Sequence, residues 1–382
     1  MQYSLTPQQL ELHACILQFA GECLRDDVER RDRDQEFSRP LWDACGEWKM
    51  QGLSIPAEHG GRGLAPLETA VALEALGQGC PDSGLVFSVA AHLLSCVVPI
   101  WRHGSDAQRA QILPKLCDGR LIAVNAMTEP TSGSDAFSMT MRAEPESDGF
   151  RLCGVKAMAT NATVADIAIV YAMTNPDKGY FGGVTAFLVD MQTNGLRVGQ
   201  NREKMGLRTV PFGELIFDNV HVPSNRVVGR VGGGASIFTE SMDWERALLP
   251  AVHVGIMQRL LDQAVGYART RKQFGQAIGK FQAVSHRIAD MRVRLEAARL
   301  LVYHAADRLR HARSASLEAS IAKLFTSESL VQASLDAIRT FGSYGILTET
   351  QVERALRDSI ASTIYSGTSD MQRNIIARWQ GL

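Results

Sequence analysis

The sequence lacks an excess of either charge. Lys and Arg number 40 against 41 Asp and Glu, a formal net charge of −1 in 382 residues. That removes any global pull toward nucleic acid or an anionic membrane. Cysteine is sparse and scattered, at positions 15, 23, 45, 80, 96, 117 and 153, with no CxxC pair. This spacing excludes a zinc motif and a disulfide framework, and it fits a reducing cytoplasm. The nine histidines show no ligand spacing, so no metal is expected. No apolar run reaches the roughly 18 residues of a membrane span. Glu11 and Asp26 interrupt the N-terminal apolar pattern, so no signal peptide is read there. Internal repeats, low-complexity tracts and long linkers are missing too. What remains is an ordinary enzyme-like composition, 45% apolar and 21% charged, long enough for roughly two or three domains.

The chain changes texture twice. Thr6-Pro7-Gln8-Gln9 supplies a cap, a first-turn proline and a capping-box glutamine, opening a helix over 6–30. Residues 52–65 are broken by Pro56, Gly60, Gly61 and Gly63. Helices follow at 67–76, 84–101 and 105–117; the middle one is apolar nearly all round and reads as buried. From residue 122 short β-type runs appear, at 149–155, 167–173, 184–190, 196–199 and 214–222, without helical segments between them. They predict an antiparallel sheet or small barrel. From 235 the period is helical again. Phe281, Val284, Ile288, Met291, Leu295, Ala298 and Val302 make one bundle stripe, and Leu317, Ile321, Leu324, Val331, Leu335 and Ile338 another. The expected fold is therefore α+β: a helical domain over 1–121, a β domain over 122–234 and a helical bundle over 235–382. Arg292, Arg294, Arg299 and Lys323 read as solvated helix faces, and His253 as a satisfied core residue.

Several stretches carry chemistry. Residues 126–135, AMTEPTSGSD, combine small hydroxyl residues with Gly133, so backbone amides can approach a ligand closely. The same pattern also suits a plain surface loop. Residues 154–161 read GVKAMATN and residues 271–284 read RKQFGQAIGKFQAV. Residues 339–343 read RTFGS. Near the C-terminus, 364–371 read IYSGTSDM: a helix end, a glycine turn, and a new helix capped by Thr368 or Ser369, with outward amides that suit an anion or a polarised carbonyl.

In that order these stretches resemble the signatures of the acyl-CoA dehydrogenase family, flavoproteins that desaturate acyl thioesters, and the resemblance spans essentially the whole chain. It implies the family's fold: a helical domain, an antiparallel β-barrel-like domain and a four-helix bundle. It implies FAD. Met127 and Thr128 would contact the flavin, with Gly133 in the same loop, and Ser134 the pyrophosphate or substrate. Met158 stands where the family commonly has a flavin-packing tryptophan, and Thr160 would face flavin N5. Arg271, Gln273, Phe274, Phe281 and Gln282 would reach the FAD of a neighbouring subunit, which implies a homodimer or homotetramer. Arg339, Phe341 and Gly342 match the Gln-x-Phe-Gly-Gly loop, with Arg339 departing from it. Thr368 and Asp370 fall near the adenine side. Where many members have a glutamate base after Ile-Tyr, this chain has Ser366. Isovaleryl-type and long-chain members carry the base on a bundle helix, and Glu245 matches that position. The resemblance thus implies Glu245 as base, Ser366 retaining a carbonyl-polarising amide, and Arg246 and Gly367 beside the substrate.

Trp-Glu-Arg at 244–246 with Ser-Gly-Thr-Ser-Asp at 366–370 resembles a sub-branch acting on acyl or aminoacyl groups held on carrier proteins. Within it, MGLRTVPFGE at 205–214 leans toward the extender-unit type rather than the prolyl type. The implied activity is α,β-dehydrogenation of a thioester on an acyl or peptidyl carrier protein, or on CoA, in secondary metabolism. Rival readings are a short- or branched-chain acyl-CoA dehydrogenase, a flavin oxidase or monooxygenase on the same scaffold, and a non-catalytic carrier-protein-binding relative.

Overall fold

The computed structural model describes residues 5–311 and 314–382. Helices come first: α1 (Pro7–Cys23), α2 (Val28–Asp34), α3 (Arg39–Glu47), α4 (Pro66–Gly79), α5 (Ser83–His92), α6 (Val98–His103) and α7 (Asp106–Cys117). The predicted capping box is present, with Thr6 and Gln9 bonded reciprocally. The first helix is shorter than expected. It stops at Cys23, and Asp27 caps a separate α2 by accepting from the Arg30 amide at 3.0 Å. A local cap there outcompetes continuation of the helix.

Helices α5 and α6 are one continuous element joined by a π-turn over Leu93–Val97. This element, Ser83–His103, corrects the reading that no apolar run is long enough for a membrane span. Its length and hydropathy would suit one, yet its whole apolar window is buried inside the protein. It is the central core helix, and α3, α4, α7 and the strands pack around it.

The middle of the chain forms one eight-stranded sheet: β1 (Ala123–Ala126), β2 (Arg142–Pro145), β3 (Gly149–Thr160), β4 (Ile167–Met173), β5 (Val184–Asp190), β6 (Leu196–Val198), β7 (Phe212–Pro223) and β8 (Val227–Val228). A five-residue helix, α8 (Gly179–Gly183), links β4 to β5. The order along the sheet is β6-β7-β3-β2-β4-β5-β8, with β1 also on β4. Pairing is mostly antiparallel as expected, but β1 and β2 meet β4 in parallel. β2 turns directly into β3 and pairs with it antiparallel, so this hairpin lies within the connection between β1 and its parallel partner β4.

The last part is helical: α9 (Gly234–Leu248), α10 (Pro250–Thr270), α11 (Gln282–His311), α12 (Ser316–Phe341), α13 (Val352–Ser362) and α14 (Ser369–Trp379), with a two-stranded hairpin, β9 (Lys272–Gln273) and β10 (Gln276–Ala277). The α11 stripe is buried at Met291, Leu295, Ala298 and Val302. The α12 stripe is not the one predicted. Leu317, Ile321, Leu324, Val331, Leu335 and Ile338 are half-buried, while alanines, serines and Lys323 are fully buried. Helix α12 sits among α9, α10, α11, α13 and α14, and small side chains allow that close approach.

Candidate active site

The site is built from two helices and a turn. Helix α9 begins at Gly234, where a Cβ would meet Thr185 carbonyl carbon at 2.8 Å, so the helix starts flush against β5. Three turns on it presents Glu245, 7% exposed, and Arg246. Between α13 and α14 the chain turns through Ser366 and Gly367, both left-handed, at φ 55° and 87°. A Cβ on Gly367 would lie 2.8 Å from Gln372 Nε2, so glycine is required for space as well as for conformation. Thr368 caps α14, accepting from the Met371 amide at 3.2 Å.

The turn and the helix are bonded together. Arg246 Nε donates to the Ser366 carbonyl at 2.8 Å. Gln372 Nε2 donates to the carbonyls of Ser366 at 3.1 Å and Gly367 at 2.8 Å. The Ser366 hydroxyl donates to Glu245 Oε1. Burial lifts the Glu245 carboxyl above the usual range, against the Ser366 hydrogen bond and the charges of Arg246 and Lys323. Burial also pulls Arg246 down. The ring of Tyr365 lies tilted against Phe87, and its hydroxyl bonds His253 Nε2 at 2.6 Å. His253 is the core residue that was expected; burial pushes it down to about 3 and keeps it neutral.

Glu245 and Ser366 open onto a cavity of about 610 Å3, within the roughly 300–1,000 Å3 of ligand pockets. Its walls come from distant parts of the sequence. Met127, Thr128, Gly133 and Ser134 come from one loop and Met158 and Thr160 from β3; Arg246, Gly367 and Thr368 complete the set beside Glu245 and Ser366. Met158 lies at the bulge between Lys156 and Ala159, at φ 55°, and is 62% exposed. The lining combines apolar side chains such as Met127, Met158 and Phe238 with the hydroxyls of Thr128, Ser134 and Thr160, a mixture suited to a large, partly apolar ligand.

The remaining predicted residues lie elsewhere. Arg271, Gln273 and Phe274 sit on the exposed β9–β10 hairpin, with Gln282 exposed after it. Phe274 is 93% exposed and meets Phe281 edge-on at 6.0 Å. Phe341 stacks on Tyr267 at 4.3 Å, ahead of the exposed Gly342. Arg339 lies 3.7 Å from Asp336, and Asp370 is exposed and paired with Arg373 at 3.0 Å. One chain therefore carries two separate clusters of predicted residues, a cavity and a surface hairpin.

Sequence reasoning missed several residues around the cavity. Lys156 and Glu129 form a buried ion pair at 2.9 Å beneath the 126–135 loop; both stand inside the motifs AMTEP and GVKAM, which was the available signal. Ser95 and Cys96 reach the cavity through the π-turn, which no periodicity reveals. Three of the four residues read as solvated are not so. Lys323 is 1% exposed; Arg299 is engaged by Glu74 at 2.9 Å, and Arg294 by Asp336. Interhelical carboxylates, invisible in a single helix's pattern, draw the two arginines inward. Among the described residues, Glu146, Asp148 and His221 also gather at the sheet surface, where Glu146 is already held by Arg151 and by His221 at 2.8 Å.

The sequence matches the acyl-CoA dehydrogenase N-terminal domain over residues 6–120, the middle domain over 125–220 and the C-terminal domain over 232–381. This chain belongs to the acyl-CoA dehydrogenase family. It is 45% identical over 379 residues to an L-prolyl-[peptidyl-carrier protein] dehydrogenase of Pseudomonas fluorescens, covering 99% of each. The crystal structure of the prolyl acyl carrier protein oxidase AnaB superposes at TM-score 0.97 with 43% identity, covering 99% of this chain and all of that one. PigA with FAD and proline matches at TM-score 0.97 and 41% identity over the full length of both. These likenesses lie on the prolyl side of the acyl-CoA dehydrogenase family, against the extender-unit leaning of residues 205–214. Met205, Gly206, Leu207, Val210 and Phe212 of that stretch line the cavity, and Leu207 is also tied to α13 by its amide, which donates to Asp358 at 2.5 Å.

Proposed function

We propose that this chain is an FAD-dependent dehydrogenase of an aminoacyl thioester, prolyl in kind, held on a peptidyl carrier protein. The observation that carries this is the buried Glu245 carboxylate facing the cavity that Thr128, Met158 and Thr160 also line. FAD, when bound, accepts the hydride released from the β-carbon. Glu245 removes the α-proton, its basicity raised by burial. The Ser366 amide, held in a left-handed turn by Arg246 and Gln372, polarises the thioester carbonyl so that the α-proton becomes acidic. Thr128 and Thr160, which line the same cavity, would hold the flavin by hydrogen bonds. Similarity to prolyl enzymes, one of them structurally characterised with FAD and proline, supports the cofactor and the substrate class.

The decisive experiment mixes the purified flavoprotein with L-prolyl carrier protein, other aminoacyl and acyl carrier proteins, and CoA esters. Rapid loss of the oxidised flavin absorbance with the prolyl thioester is expected. Bleaching by CoA esters alone sinks the carrier-protein reading. One relative is named an oxidase, and that favours a second reading in which reduced flavin is reoxidised by oxygen. Stoichiometric peroxide after aerobic turnover selects it.

Ser366→Ala tests the tie between the turn and the base. The lost hydroxyl donates to the ionised form of Glu245, so the carboxyl rises further without it. The base works only when ionised. The acid limb of kcat/KM therefore moves to higher pH, by roughly one unit for a hydrogen bond to a charged group. An unmoved limb removes Ser366 from the assignment.

The second reading of the surface hairpin is assembly. We place Phe274 and Arg271 against the FAD of a neighbouring copy, because an aromatic side chain 93% exposed at a hairpin tip meets, among the described residues, only the ring of Phe281. Phe274→Ala is expected to weaken FAD binding on the order of tenfold, read from flavin retained after gel filtration, with the secondary structure unchanged. Full retention in a monomer rejects the shared site. All seven cysteines are free thiols, which supports a cytoplasmic location.

A further inference from the structure

The helical column that carries Glu245 grips the 365–367 turn a second time. Leu249 has helical backbone angles and its amide donates to the Glu245 carbonyl at 2.9 Å, so α9 runs on directly into α10. Glu245, Leu249 and His253 then follow at four-residue spacing along one ridge. His253 is 3% exposed, and its Nε2 shares a hydrogen bond of 2.6 Å with the Tyr365 hydroxyl. Its Nδ1 has no partner among the described residues. A buried imidazole with a single bond is costly where an apolar side chain would pack freely, so core packing does not account for it. Burial, with Lys323 adding to it, keeps the ring neutral, and burial pushes the Tyr365 phenol well above its ordinary value. The bond therefore joins two uncharged groups.

Tyr365 needs such an anchor. With Phe87 and Leu207 it lines both the large cavity and a second void of about 20 Å3, whose walls include His253, Ser83 and Asp358. That void has room for one water, so the contact with Phe87, 4.5 Å between ring centres, does not by itself pin the tyrosine. The peptide unit between Tyr365 and Ser366 is planar and contains the Ser366 amide. Arg246 holds it from one side, through the Ser366 carbonyl at 2.8 Å. His253 holds it from the other, through the Tyr365 side chain.

We propose that His253 is a positioning residue for the reaction: by holding Tyr365 it fixes the plane of the Tyr365–Ser366 peptide, and so the aim of the Ser366 amide at the thioester carbonyl. This rests on the proposed function, in which that amide stabilises the negative charge gained by the carbonyl oxygen as the α-proton leaves. A donor of this kind is effective only when it is aimed before the charge develops. A misplacement on the order of 1 Å costs about 10^2-fold in rate. His253 lines the small void and not the cavity, so its effect passes through Tyr365.

The test is a double-mutant cycle on the holoenzyme with L-prolyl carrier protein, using Tyr365→Phe, His253→Leu and the two combined, with His253→Gln as the conservative variant. Tyr365→Phe keeps a ring against Phe87 and removes only the bonded oxygen. Stopped-flow flavin reduction is expected to slow about 10- to 100-fold in each single variant, with half-saturation by substrate little changed. The combined variant should lose no more than either alone, because the same bond is lost in all three. His253→Gln, whose amide both donates and accepts, should recover most of the rate. The acid limb of the pH profile should stay at its native position, since the bond carries no charge. Losses that add, a moved acid limb, a loss confined to half-saturation, or a native rate in Tyr365→Phe each overturn the positioning role. Should His253→Leu not fold, Tyr365→Phe decides alone: slowed reduction at native half-saturation supports the role and a native rate removes it. If the native flavin is reduced by no thioester, the proposed function and this role fall together; native reduction with unimpaired variants removes the role alone.

Discussion

Glu245→Gln is expected to retain FAD at native stoichiometry and to leave the flavin oxidised when the prolyl thioester is added, with reduction slowed about 10^3-fold. Glutamine keeps the shape of the side chain and an oxygen that can accept from the Ser366 hydroxyl, so the turn should stay in place. What disappears is the only property the chemistry needs, a basic oxygen in a water-poor pocket. Because burial raises the Glu245 carboxyl, the native rate should fall as pH drops through that value and the base is protonated. The residual rate of the variant should lack this limb. Thermal stability should be unchanged or slightly higher, since an amide is less costly to bury than a carboxylate. Stopped-flow absorbance of the flavin measures the rate, and calorimetry the stability. A native reduction rate in Glu245→Gln refutes the base assignment whatever else the variant does.

Strands β4 and β5 are legible to the residue because each is a continuous β-branched and apolar run bounded by Asp, Asn or Gly. Strands β1 and β2 are not legible. Each has four residues, and β2 ends on Pro145, so the pattern that marks a strand never builds up. The bundle shows the same limit from the other side. Helix α11 reads correctly because one face is apolar and the other wet. Helix α12 is enclosed by five helices, so its inner face is chosen for size, and a periodicity of large apolar residues picks out the flanks instead. Around the cavity, the motifs lead to residues that touch it, because those stretches must hold unusual backbone, such as Met158 and Ser366 in left-handed conformations. They do not lead to Lys323 or His253, whose burial depends on which helices face them. That juxtaposition is a tertiary property with no trace in local spacing.

The largest stability effect is expected beneath the 126–135 loop, at Lys156→Met. Lys156 Nζ donates to the Met127 carbonyl and to Glu129 Oε1, both at 2.9 Å. Glu129 also accepts from the Thr140 amide at 2.7 Å, the Thr140 hydroxyl at 2.6 Å and the Met141 amide at 3.0 Å. Burial alone would lift the Glu129 carboxyl, but Lys156 and the Thr140 donors outweigh it and hold it below its ordinary range. Burial pulls Lys156 down to about 8 against the pull of Glu129, so both are charged at neutral pH. Removing the lysine leaves a buried carboxylate without its counter-charge, a loss of about 3–5 kcal/mol. For a domain of this size that lowers the melting temperature on the order of 10 °C. The usual remedy, replacing both partners with apolar residues, should not restore stability here, because Glu129→Leu would strand the amides of Thr140 and Met141 as well. The pair also joins the two cavity walls: Met127 and Thr128 lie directly before Glu129, and Met158 and Thr160 directly after Lys156. FAD should accordingly dissociate faster from Lys156→Met even at temperatures where the variant is folded. Calorimetry with flavin-fluorescence release measures both effects, and a variant as stable and as flavin-retentive as the native protein would show that the pair holds nothing.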